Sequence, residues 1–275
     1  MLISGGFLRR LYKMAANHDK LIILGCGSSN GVPTIGPNWG KCNPKNNKNT
    51  RTRSSIFIKK GNLNILIDTS PDLRSQFLRS SIYELDAVLY THEHADQLNG
   101  IADLRIFSLK NNKTIPAYAT KNTFNAIIKR FDYCFRAVGN SHYKPILSQN
   151  DIDGSFAVTK GDNKISFDVF DVHHGNVSAS GFKFLNIAYS PDLGGIPDKS
   201  LKYLDNLDLW IVDALRVSPP HPCHFHLELT LNWIEKMKPK KAILTNLSNQ
   251  MDYETVSSQL PKNVELAYDG QEINL

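Results

Sequence analysis

Apolar positions along this chain gather into short runs, each closed by glycine, asparagine, aspartate or proline, with a few stretches of helical spacing between them. Runs of that kind, rich in Ile, Leu, Val and Phe, predict buried strands. They fall at Leu21–Leu24, Ser55–Lys59, Asn64–Asp68, Asp86–Tyr90, Ile115–Ala119 and Phe156–Thr159, then at Ile165–Val172, Phe182–Tyr189, Leu209–Asp213, Ala242–Thr245 and Val264–Tyr268. Gly61-Asn62 joins the second and third runs as a hairpin. Helices are predicted at Asp72–Arg79, Gln97–Leu109, Thr123–Phe131 and Leu227–Met237. Pro33–Thr52 is long, polar and rich in Asn, Lys and Gly, as functional or mobile segments are. Strands come first, helices follow, and both recur without a fixed short repeat. That order predicts a mixed α/β fold, with sheets packed face to face and helices outside.

Composition changes this picture little. The 275 residues, 41% hydrophobic and 21% charged, suit a soluble globular protein with no run long enough to span a membrane. Residues 20–275 are expected to form one domain, and residues 1–19 a poorly ordered extension. Cys26, Cys42, Cys134 and Cys223 lack paired spacing, which speaks against a disulfide framework and for a reducing cytoplasm. Charge adds more. Residues 1–60 carry eleven Lys and Arg against the single Asp19, a local +10, although the whole chain is only +6. Such a front end would steer anions, or is simply a solvated surface.

The chemistry begins where the run Asp86–Tyr90 stops. His92, His94 and Asp96 follow at alternate positions. Alternate residues of extended chain point the same way, so the two imidazoles can converge on one point. Asp96 then stands where a helix N-cap would, ahead of Gln97–Leu109. Two imidazoles and a carboxylate at such a corner suit zinc or manganese. An isolated H-x-H is more often a solvated turn. The wider pattern decides, because seven of the nine histidines fall in polar clusters at the ends of predicted strands: His92, His94, His173, His174, His221, His224 and His226. Asp68–Asp72 and Asp192 close two further strands, and strand-end loops are where a rigid scaffold presents its chemistry.

In that order, H-x-H-x-D, then a histidine before Gly175, then Asp192 after an apolar strand, the chain resembles the metallo-β-lactamase-fold hydrolases from about Lys20 to its C-terminus. The opening Leu24-Gly25-Cys26-Gly27-Ser28-Ser29-Asn30-Gly31-Val32-Pro33 and the stretch Leu66-Ile67-Asp68-Thr69-Ser70 are similar to the phosphodiesterase branch, which includes phosphoribosyl cyclic phosphodiesterases and RNase Z. The resemblance implies a four-layer αββα sandwich with metals at one edge. It implies that His92, His94 and His174 hold one metal and that Asp192 bridges towards a second, to which Asp96 is dedicated. His173 is then left exposed or behind the ligands.

Two positions depart from the family pattern. Gln97 and Asn246 stand where the branch has histidines for the second metal. An amide oxygen is a neutral, harder donor that favours manganese or magnesium over zinc. Either a weak, selective second site remains, or one metal does the work. Counting back from Asn246 across the helix Leu227–Met237 places His224 at the branch's proton donor, with a helix cap as its plainer reading. His226 would assist it, and His221 would be structural. Asp68 is expected to stand behind the ligands and orient an imidazole through its second ring nitrogen, a role compatible with the plainer one of forming the turn before Ser70-Pro71. Asp213 is a weaker candidate for the same work. Arg105 would reach a substrate phosphate or pair near Asp103.

These readings converge on metal-assisted hydrolysis of a small anionic phosphodiester, cyclic or nucleotide-like, with His224 protonating the departing oxygen and the basic Pro33–Arg53 segment attracting phosphate. RNA is a less favoured partner, since no glycine-rich arm for tRNA is apparent. A homodimer is left open. The rivals are a thioester or lactone hydrolase of the same fold, and a weakened homologue that binds metal or nucleic acid.

Overall fold

The computed structural model describes residues 18–137 and 144–275. In chain order its strands are β1 (Lys20–Gly25), β2 (Ser55–Lys60), β3 (Leu63–Ile67), β4 (Ala87–Leu89), β5 (Ile115–Ala119), β6 (Leu147–Asp151) and β7 (Ser155–Lys160). They continue as β8 (Asn163–His174), β9 (Val177–Phe184), β10 (Ile187–Ser190), β11 (Leu209–Asp213), β12 (Lys241–Thr245), β13 (Val264–Leu266) and β14 (Gln271–Asn274). The helices are α1 (Leu73–Arg79), α2 (Ala95–Leu98), α3 (Arg105–Asn111), α4 (Lys121–Phe135), α5 (Leu227–Met237) and α6 (Tyr253–Ser257). Two seven-stranded mixed sheets result, in the orders β14-β1-β2-β3-β4-β5-β6 and β13-β12-β11-β10-β9-β8-β7.

The period of two along each strand builds the layers. Leu21 and Ile23, Ile56 and Ile58, and Ile65 and Ile67 join the apolar cluster they share with the second sheet. Their neighbours Ile22, Leu24, Phe57 and Leu66 face the other way, onto Leu73 and Phe77 of α1, Phe107 of α3 and Phe124 of α4. On the far side, Leu227 and Ile234 of α5 and Val256 of α6 complete the second sheet's cluster. The layers are therefore helix, sheet, sheet, helix. Phe167, Phe182 and Phe184 are fully buried between them, and truncating any one to alanine would cost about 3–5 kcal/mol.

Parallel strands explain why the site lies at one rim. β3 and β4 run parallel, as do β10, β11 and β12. Their carboxyl ends all open onto the same edge, and β8 brings its own end there from the antiparallel part of the second sheet. Two bonds stitch the sheets together at this rim: Ser180 N donates to Thr91 O (3.0 Å) and Leu247 N to Cys26 O (2.8 Å).

Several sequence expectations change. The helix predicted over Gln97–Leu109 is broken into α2, a 3-10 turn (Ile101–Leu104) and α3. Gly100 lies at the break, where a Cβ would stand 2.1 Å from Ser70 O; close passage of the chain over that carbonyl stops the first helix. Asp96 is not the N-cap, a place taken by His94, and lies inside the first turn. The strand expected over Phe182–Tyr189 is interrupted at Leu185 and Asn186, both at positive φ (44° and 63°), dividing β9 from β10. Strands β6 and β14 had no apolar run to announce them.

The segment Pro33–Thr52 is pinned rather than free. Arg51, 2% exposed, donates to Ser248 O (3.2 Å) and Met251 O (2.6 Å), while Asp252 accepts from Asn43 N and Asn49 Nδ2. Of the expected leading extension, residues 1–17 lie outside the described residues. Asp19, counted with it, is tied into the fold, accepting from Gly61 N and, through its carbonyl, from Leu275 N. No helix among the described residues is long and apolar enough to cross a membrane.

Candidate active site

The end of β4 turns sharply after Tyr90 and delivers His92 and His94, while the end of β8 delivers His174. Their rings form a near-equilateral group, with centroids 4.7, 5.0 and 4.9 Å apart. Hydrogen bonding fixes which nitrogen each ring presents. Thr91 Oγ1 donates to Asp68 Oδ2 (2.9 Å), so it accepts from His92 Nδ1 (3.0 Å) and leaves His92 Nε2 bare. His174 Nδ1 must donate to the carbonyl of Cys223 (3.0 Å), which leaves its Nε2 bare as well. That Nε2 faces His94 Nδ1 at 3.1 Å. Burial drives His92 well below its ordinary pKa and, with the charge of His224, takes His174 down to about 4, so both are neutral near pH 7.

These atoms fit a divalent metal. Nitrogens sharing a tetrahedral zinc lie about 3.3 Å from one another, close to the 3.1 Å between His94 and His174. His92 Nε2 is buried with no partner at all, a costly arrangement unless a ligand repays it.

Asp68 works differently from the sequence expectation. Buried at positive φ (66°), it does not touch an imidazole; it accepts from Thr91 N (2.8 Å) and Thr91 Oγ1, and Thr91 in turn holds His92. Burial raises its pKa to about 8 in spite of those bonds. Thr91 was missed as a functional residue, and its place directly before H-x-H was the available signal.

The opposite wall comes from the second sheet. Asp192 follows β10, Asp213 ends β11 and Asn246 follows β12 at φ 60°, a left-handed conformation that asparagine tolerates. His224 does not cap α5, whose N-cap is His226. Instead its Nδ1 bonds Asp213 Oδ2 (2.8 Å) and lies 3.6 Å from Asp192 Oδ1. Burial opposes a charge on His224, but the bond to Asp213 and the carboxylates of Asp213, Asp192 and Asp96 outweigh it and raise its pKa to about 9. Asp213 therefore has a larger part than the sequence suggested. Gln97 Nε2 donates to Asp192 Oδ2 (2.8 Å) and Asn246 Nδ2 to Asp192 Oδ1 (3.1 Å).

His94 and His174 of one wall and Asp192, His224 and Asn246 of the other line one cavity of about 630 Å³, together with Ser28, Ser29, Asn30, Arg216, His221 and Gln250. Asp96 lines it too, its pKa raised by burial, yet it belongs to neither group of converging ligand atoms. Nothing from Pro33 to Arg53 lines this cavity, and Arg53 is paired with Asp72 (3.0 Å). Arg105 lines a separate one beside Ser108 and Lys113. His173 is exposed. His221, expected to be structural, lines the cavity with its ring 5.0 Å from that of His224; Arg216, which lines it too, was missed.

A family model described as the beta-lactamase superfamily domain matches residues 63–245. The chain belongs to the beta-lactamase superfamily. It is 32% identical to a diphosphatase of the PhnP family, whose crystal structure superposes with a TM-score of 0.84 over 94% of this chain and 97% of that one. The short form of human tRNase Z aligns with a TM-score of 0.68 at 17% identity over 93% and 98% of the two chains, a likeness of fold. An octanoyltransferase of Porphyromonas gingivalis (strain ATCC BAA-308 / W83) is 30% identical over 257 residues, 92% of this chain and 51% of the relative, so the chain spans about half of that protein's length. This beta-lactamase superfamily chain thus has a four-layer αββα fold and, at its rim, a His/Asp cluster fit for a divalent metal.

Proposed function

We propose that this superfamily member is a metal-dependent phosphodiesterase acting on a small nucleotide-like diester, either cyclic or bridged by a diphosphate. The observation that carries this reading is the placing of two groups across one polar cavity: bare imidazole nitrogens on one wall, and the His224–Asp213 pair on the other. The diphosphatase among its relatives supports the same substrate class.

His92, His94 and His174 would hold the cation, with zinc favoured by an all-nitrogen set and manganese also accommodated. Bound there, it supplies Lewis acidity, polarising a phosphoryl oxygen and lowering the pKa of water. The chain's own residues supply the rest. Asp96, in the cavity wall, accepts the proton lost by the attacking water. Asp213 holds His224 through Nδ1, leaving Nε2 to protonate the departing oxygen, a contribution of about 10²–10⁴ in rate. Arg216 and His221 bring positive and polar groups to the cavity lining, which favours an anionic diester.

Acyl chemistry is the second reading, raised by the octanoyltransferase relative. The lining weighs against it. Val177 and Leu215 are the only aliphatic side chains around the cavity among the described residues, and an acyl chain needs an apolar sleeve. Bis(p-nitrophenyl) phosphate, a dinucleoside diphosphate, an S-acyl thioester and a lactone, each assayed with Zn²⁺ or Mn²⁺, separate the two. Turnover of the phosphodiesters alone is expected. Turnover confined to the thioester or lactone would overturn the proposal.

A further inference from the structure

Two groups of side chains in this site converge closely enough to hold an ion, His92–His94–His174 and His174–Asp192–His224. Their hydrogen bonding sets them apart. In the first, His92 Nε2 has no partner, and His94 Nδ1 and His174 Nε2 face each other. In the second, Asp192 and His224 already have hydrogen-bond partners. Asp192 receives Gln97 Nε2 on one oxygen (2.8 Å) and Asn246 Nδ2 on the other (3.1 Å). Asn246 Nδ2 also lies 3.1 Å from Asp213 Oδ1, so its two hydrogens link the two carboxylates. His224 Nδ1 is spent on Asp213 Oδ2.

Electrostatics selects these amide orientations. Turning either amide over would set its oxygen against an oxygen of Asp192, an arrangement that an ionised Asp192 does not tolerate. An amide N–H cannot ligate a cation, but it carries the partial positive charge that a buried carboxylate requires. Among the described residues on this wall the orphan acceptor is Gln97 Oε1, and one neutral amide oxygen is a weak donor for zinc or manganese.

We propose that the chain holds a single divalent cation, on His92, His94 and His174, and that Gln97 and Asn246 take the place of a second by donating N–H groups to the two oxygens of Asp192. This inference rests on the metal-dependent reading of the site given above. It makes Asn246 a positioning residue that ties Asp192 to the His224–Asp213 pair, and it leaves neutralisation of the leaving group to His224 rather than to another ion.

Elemental analysis of the full chain tests it. Protein stripped of metal, reloaded with excess Zn²⁺ or Mn²⁺ and desalted should retain about one ion per chain, with one saturable step in a metal titration followed by thermal denaturation. The Gln97→His/Asn246→His double variant should retain about two. Two ions on the unchanged chain would overturn the inference, as would a folded double variant that still holds one. No ion on the unchanged chain would instead overturn the metal-dependent reading itself, so the two failures are distinguishable. Should the double variant not fold, Gln97→Glu alone carries the test: it exchanges the amide for a carboxylate of the same shape and must raise occupancy above one.

Discussion

His92 and Asp192 stand on facing strand ends at similar depth, 0% and 4% exposed, but their polar atoms are satisfied differently. His92 is held from behind by Thr91 and points a bare nitrogen forward. Asp192 has an N–H on each oxygen. An unpaired buried polar atom costs about 1–3 kcal/mol, so the first arrangement persists where a ligand will repay it, whereas the second is complete by itself. Burial alone does not mark a metal ligand. What marks it is burial with the lone pair left over.

The largest effect should come from emptying the imidazole wall. Chelation, or His92→Ala, is expected to bring phosphodiester turnover down to background, and readdition of the ion should rescue the chelated protein but not the variant. Rescue of both would mean that the ion is held elsewhere. On the other wall, His224→Ala should lower kcat by about 10²–10⁴ while leaving metal content unchanged. A parallel loss of metal would make His224 a ligand and erase the contrast between the walls. A smaller change follows from the support behind His92. Asp68→Asn weakens the Asp68–Thr91–His92 chain and should reduce metal affinity by about 10–100-fold, read by competition with a chromophoric chelator. An unaltered affinity would remove Asp68 from the site.

The smallest effect lies outside the cavity, at a carboxylate whose partners are all protein. Burial pushes the Asp252 carboxyl up, but bonds from Asn43 N, Thr255 N and Asn49 outweigh it and lower its pKa to about 2. Its folded value thus lies below the unfolded one of about 3.9. The carboxylate therefore adds stability above about pH 4, which is lost as pH falls towards 2. Asp252→Asn should flatten that acid limb in thermal denaturation without altering metal affinity, whereas a variant with an unchanged limb would contradict the assignment.

Much of this was legible in the chain. The continuous apolar runs of Leu21-Ile22-Ile23-Leu24, β11 and β12 specify strands packed on both faces, and thereby the layers. His92, His94, His174, Asp192 and His224, distant in sequence, meet at the rim because each closes or follows a strand. What escaped the sequence depends on contacts between distant segments. Gly100 ends α2 because Ser70 O lies beneath it, and helical spacing carries no trace of that carbonyl. Arg51 reads as a charge offered to solvent, yet it is buried against the carbonyls of Ser248 and Met251. Thr91 and Asp213 are ordinary strand-end residues until their partners are known. The role of Gln97 and Asn246 was open in the sequence for the same reason, since an amide can present either its oxygen or its N–H, and only the neighbouring carboxylates decide.

The most direct test is anomalous diffraction from crystals grown with Zn²⁺, measured on both sides of the zinc absorption edge. One peak is expected per chain, in contact with His92 Nε2, His94 Nδ1 and His174 Nε2. A peak away from those three nitrogens, or none, would contradict the account.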